Sequence, residues 1–141
     1  KFARLYVQET STNEWVNLLY PETAKYLLKE VAMIPKEIIE NPALQSLART
    51  LRYFIKERKY DYADDIRNAR KDSRGFEETI AKMLREARMR LEQKEKIFIP
   101  EDEEIKEVFA LANEDFESTK LALVILAFAF PSKVEEEKRE S

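Results

Sequence analysis

The chain contains no cysteine and no histidine. Those two absences remove thiol nucleophiles, imidazole bases, haem and iron–sulfur ligation, and ordinary zinc sites. Its single glycine, Gly75, leaves no room for a P-loop or a dinucleotide-binding glycine loop. Long apolar runs are also missing: the longest, LALVILAFAF at 121–130, is about half of the roughly 20 residues that span a bilayer. No secretory apolar segment follows Lys1, so the expected location is the cytoplasm, with no membrane partner; the first residue is not Met, so the start is expected to be trimmed. Any enzyme here would have to use carboxylates, Lys, Tyr, Ser or Thr. The expectation is therefore a non-catalytic protein, with no cofactor, no metal and no small-molecule substrate.

What is present is charge. A chain of 141 residues suits one domain, expected over 1–131, with a charged tail at 132–141 expected to be disordered. Charged residues reach 38%, mostly Glu, Lys and Arg, a mix that resembles hyperthermophile proteins, in which ion desolvation costs less when hot. The net charge of −3 is unevenly placed. Residues 47–96 hold 15 Lys and Arg against 10 Asp and Glu, while the remainder holds 10 against 18. An acidic protein with a basic middle is not a free-standing DNA binder of the usual basic kind, but it suits backbone contact within a larger assembly.

The hydrophobic pattern predicts an all-α bundle. Pro21, Pro35, Pro42 and Pro100 each stand just before a helical segment, where a missing N–H costs nothing. Leu44, Leu47, Leu51, Phe54 and Ile55 define a helix over about 42–59, and Tyr62, Ile66 and Ala69 a short one over about 61–71. Asp72 or Ser73 can cap a long helix from 76, whose apolar face is Phe76, Ile80, Met83, Leu84, Ala87 and Leu91. IFIP at 97–100 reads as an extended link. An acid-led helix follows, and Asp115 starts a last one that is apolar all round over 121–130, as a helix surrounded by others would be. Pro131 ends it. NEWVNLL and TAKYLLKEVAMI predict one or two further helices near the start, and FARLYV fits strand or helix.

Three charge patterns bear on function. Asp61, Asp64 and Asp65 form D-x-x-D-D, a pattern that could in principle hold Mg²⁺, but Asp64 and Asp65 diverge by about 100° on a helix, and helix capping by Asp61 is the simpler account. On the helix over 42–59, Arg49, Arg52, Lys56 and Lys59 share a sector of about 80°, clear of the apolar stripe and with no acid between them. Such a row repels itself unless something offsets it, as a phosphate backbone would. Arg67, Arg70 and Lys71 share one side of the next helix, and Arg74 follows. The long helix differs: Glu78 and Lys82, Glu86 and Arg90, Arg88 and Glu92, Glu92 and Lys96 are all spaced i, i+4, which predicts a self-neutralised, solvated surface. The basic row has two readings, nucleic-acid backbone or an acidic protein partner.

The run LARTLRYFIKERKYDYADDIRNAR, with FEETIAKMLREA after it and then PEDEEIKEVFALANED and LALVILAFA, resembles the small subunit of the archaeal type I-A CRISPR effector complex, Cascade. The likeness covers about 42–130. It implies a helical, non-catalytic subunit that sits with copies of itself and other subunits around guide RNA and target DNA, where base pairing reads sequence and protein holds backbone or displaced strand. It assigns no individual contact residues. The candidate nucleic-acid site, Arg49, Arg52, Lys56, Lys59, Arg67, Arg70, Lys71 and Arg74, rests on helix geometry alone.

Overall fold

The computed structural model describes residues 33–69 and 72–128. The predicted helices before 33, Arg70, Lys71, Pro131 and the charged tail lie outside the described residues. Within them the protein is all helical: α1 (Lys36–Ile39), α2 (Pro42–Lys56), α3 (Asp61–Asn68), α4 (Ser73–Glu92), α5 (Asp102–Glu114) and α6 (Phe116–Phe128).

α6 is the centre of the bundle. Every residue from Thr119 to Phe128 is buried except the half-buried Leu121. It packs against α1, α2, α3 and α5. A helix with no polar face has nowhere else to go, so the uniform apolar sequence dictates this position. α2 starts cleanly because the Asn41 side chain accepts from the N–H groups of Ala43 (2.9 Å) and Leu44 (3.1 Å), with Pro42 at the first position. Its stripe of Leu44, Leu47, Leu51 and Phe54 is fully buried, on the α6 side of the molecule.

α2 ends at Lys56, earlier than the expected 59. Arg58 takes a left-handed backbone (φ 65°), and the N–H of Lys59 donates to Phe54 O at 2.9 Å. This is a Schellman stop, which takes Lys59 out of the helical row. α3 ends at Asn68, short of the expected 71. Its N-cap is Tyr60, in a helical conformation and without a side-chain cap, so Asp61 is the first helical residue and not the cap.

Asp72 does cap α4, accepting from the N–H groups of Arg74 (3.1 Å) and Gly75 (3.3 Å), so the helix begins at Ser73 and not at 76. Phe76, Ile80, Met83, Leu84 and Ala87 are buried as expected, but Leu91 is 51% exposed. In that last turn Arg90, not Leu91, is drawn inward. The link after α4 packs rather than floats: Ile97 and Pro100 are buried, and Thr50 Oγ1 donates to Phe98 O at 2.7 Å. Glu101 and Glu104 form a capping box at the start of α5, and Ser46 Oγ ties Glu104 back to α2 at 2.7 Å.

Candidate functional site

The predicted basic residues divide into three groups. Arg49 is exposed, with its guanidinium 4.5 Å from the centre of the Phe98 ring, a cation–π contact that covers one ring face. Lys56 and Arg67 are exposed and each has an interaction within the fold. By contrast, Arg52 points into the protein: Nη2 donates to Leu126 O at 2.6 Å and Nε to Ala127 O at 3.4 Å. These are carbonyls of the last described turn of α6. Lys59 binds Glu86 at 2.6 Å, and Arg74 binds Glu78 at 3.0 Å. The row thus contributes part of its charge to internal contacts and leaves Arg49 and Lys56 facing outward on α2.

The pairing expected along α4 is also redistributed. Glu78 goes to Arg74 rather than Lys82, and Arg88 lies 3.9 Å from Asp102. Glu86 and Arg90 do meet, at 3.1 Å, but as parts of a larger network. Arg90 Nη1 donates to both carboxylate oxygens of Glu57 (2.6 and 2.9 Å) and to Glu95 (3.3 Å), and its guanidinium lies over the rings of Phe54 and Tyr53. The hydroxyl of Tyr62 donates to Glu86, and that of Tyr53 to Glu95 at 3.1 Å. One guanidinium, three carboxylates and two phenols therefore join the ends of α2 and α4 to the start of α3.

The electrostatics of this network fix its chemistry. Burial acts to raise the Glu86 carboxyl, but hydrogen bonds from Lys59, Tyr62 and Arg90 outweigh it and bring it down to about 2. Glu57 is lowered in the same way, against burial, by bonds from Tyr53 and Arg90. Burial and the adjacent carboxylates push the Tyr53 and Tyr62 hydroxyls up, and Arg90 is raised further by its carboxylate partners against the effect of burial. These shifts favour the ionised forms of Glu57, Glu86 and Arg90 and the neutral forms of the two phenols, and the cluster ties the helices together. The Glu86–Arg90 spacing shows in sequence; Glu57, Glu95 and the two tyrosines do not, because only tertiary packing brings them there.

The aspartates do not converge. Asp61 and Asp65 are exposed, while Asp64 is half-buried with its carboxyl raised by that burial. Among the described residues no three His, Cys, Asp or Glu side chains are placed to hold a metal ion. No helix among them is long and apolar enough to cross a membrane. One further cation is structural: buried Lys120 donates to Ala69 O at 3.3 Å beyond the end of α3 and pairs with Glu117 at 3.2 Å.

The outcome is an all-α bundle with separated surface charge. Exposed cations lie along α2 and α4 and in the turns after them, whereas the exposed part of α5 is dominated by Asp102, Glu103, Glu107 and Glu114. Comparisons with models of known protein families, with curated proteins and with solved structures find no match.

Proposed function

We propose that this chain is a non-catalytic helical subunit that holds nucleic-acid backbone without reading sequence. The observation that carries the reading is the sorting of charge around α2. At its basic end Glu57, Glu86 and Glu95 bind Arg90, and Arg49, Lys56, Arg58 and the Glu86-paired Lys59 are exposed, against Glu57 and Asp61 as the exposed acids there. Backbone phosphates are the natural complement of such a surface. The acidic α5 keeps the free protein from coating polyanions at random.

The resemblance to the small subunit of the type I-A CRISPR effector complex supplies the setting: an archaeal, thermophilic, cytoplasmic ribonucleoprotein of antiviral defence, in which this chain contacts other subunits and copies of itself around guide RNA and target DNA. An acidic protein partner is the rival reading, favoured by the internal use of Arg52, Lys59 and Arg74. Arg49→Glu with Lys56→Glu separates the two in a reconstituted effector complex. The backbone reading expects the variant to join the complex and to weaken target binding alike for every guide. A variant that fails to join while remaining folded assigns the row to a protein interface.

A further inference from the structure

Among the described residues two have a positive φ without being glycine: Arg58 at 65° and Lys94 at 67°. Each closes a helix by the same device. After α2 the N–H groups of Arg58 and Lys59 donate to Ile55 O (2.8 Å) and Phe54 O (2.9 Å). After α4 those of Lys94 and Glu95 donate to Leu91 O and Arg90 O, both at 3.0 Å. Glycine is the usual occupant of that left-handed position, because a Cβ is strained there. Here both positions carry a long cation.

The two turns are neighbours. Glu57, beside Arg58, binds Arg90 at 2.6 Å, and Glu95, beside Lys94, accepts from the Tyr53 hydroxyl at 3.1 Å and from Arg90 at 3.3 Å. Those contacts occupy the flanking acids. Arg58 and Lys94 are exposed and make no ion pair among the described residues; Lys56 and Lys96 are exposed beside them. Strain tolerated at two adjacent turns, both by cations, is a recurrent mark of a ligand-holding surface.

We infer that the paired turns at the ends of α2 and α4 grip nucleic-acid phosphates, with Arg58 and Lys94 as the contact residues. The inference rests on the backbone-binding reading above and places its contact at the end of the bundle. The competing account is that both cations only offset the negative ends of two helix dipoles.

Arg58→Gly with Lys94→Gly separates the accounts, because the substitution removes charge while relieving backbone strain. Binding of a fluorescent random-sequence 30-nucleotide DNA to the full chain is followed by anisotropy between about 50 and 200 mM salt, beside thermal melts. The expected variant melts no lower than the parent but binds more weakly, with the slope of log K against log salt flattened by about 1.4–1.8 for two lost phosphate contacts. Over that fourfold range this removes roughly a tenfold share of the parent's salt sensitivity. Arg58→Asn with Lys94→Asn must behave alike, since Asn also tolerates left-handed backbone. Lys82→Gln with Lys106→Gln removes the same charge elsewhere and is expected to leave more of the slope intact. A glycine variant that binds like the parent overturns this site alone, as does a control that flattens the slope equally. A parent chain with no salt-dependent binding overturns the backbone reading and this site with it.

Discussion

The guanidinium of Arg52 donates at 2.6 Å to the carbonyl oxygen of Leu126, 74 residues further along the chain. A bond this long in sequence is thus made by a residue that helical geometry alone sets among the cations expected to face phosphate. Arg52→Ala is expected to destabilise the protein by about 1–3 kcal/mol, the range for a hydrogen bond from a charged group whose partner is left unsatisfied. Chemical denaturation measures it. Arg52→Glu is expected to be worse, because a carboxylate would face carbonyl oxygens. A neutral effect of either would mean that Arg52 leaves the α6 carbonyls in solution.

Arg90 is the second structural cation. Its replacement by Met leaves Glu57, Glu86 and Glu95 without their common partner, and a loss of about 1–3 kcal/mol is expected, as for charged hydrogen bonds broken on one side at a half-buried site. Arg90→Lys keeps the charge but not the fork that serves three carboxylates, so it is expected to recover only part of that stability. Denaturant midpoints of the two variants test the order.

The same network sets an acid limit. The Glu86 carboxyl falls to about 2 in the folded protein from an ordinary value of 4.5. A folded value below the unfolded one stabilises the fold fully above pH 4.5, and that contribution is lost as pH falls toward about 2. Glu57 is lowered as well and acts in the same direction. Unfolding midpoints recorded from pH 6 down to 2 are expected to drop through this window. Glu86→Gln is expected to lower stability at pH 6 and to flatten the drop.

Much of the core was legible in the sequence. The apolar residues of α6 admit only a central position, and the stripe on α2 is a plain helical repeat. Helix ends were less so. The stops at Lys56 and Glu92 depend on left-handed turns at Arg58 and Lys94, where no glycine announces them. Asp61 looked like a cap because aspartate prefers that position, but Tyr60 occupies it through backbone geometry alone. The charged residues were the least legible. Spacing of i, i+4 finds Glu86 with Arg90, but not the bonds of Arg90 to Glu57 or of Lys59 to Glu86, which cross between helices. Of the eight candidate contact residues, Arg52 and Lys59 have partners that no linear pattern shows, while Arg74 pairs with Glu78 at i, i+4.

The core itself gives a direct stability test. Leu123 and Ile125 are both fully buried in α6. Leu123→Asp or Ile125→Asp would place an unpaired carboxylate there, at a cost of several kcal/mol, and each is expected to unfold the protein. Circular dichroism on heating decides it; an unchanged melting curve would mean that α6 is not enclosed.

The central claim is that the basic end of α2 holds nucleic-acid backbone regardless of sequence. Its most direct test is the salt dependence of DNA binding by the full chain, measured by anisotropy with several unrelated sequences, for the parent and for Arg49→Glu with Lys56→Glu. The account predicts one common line for all sequences, with log K falling by about 0.7–0.9 per phosphate for each log unit of salt. In the variant that line is expected to be shallower by about 1.4–1.8, again for every sequence. Binding by the parent that ignores salt, or a variant whose slope matches the parent's, would contradict it.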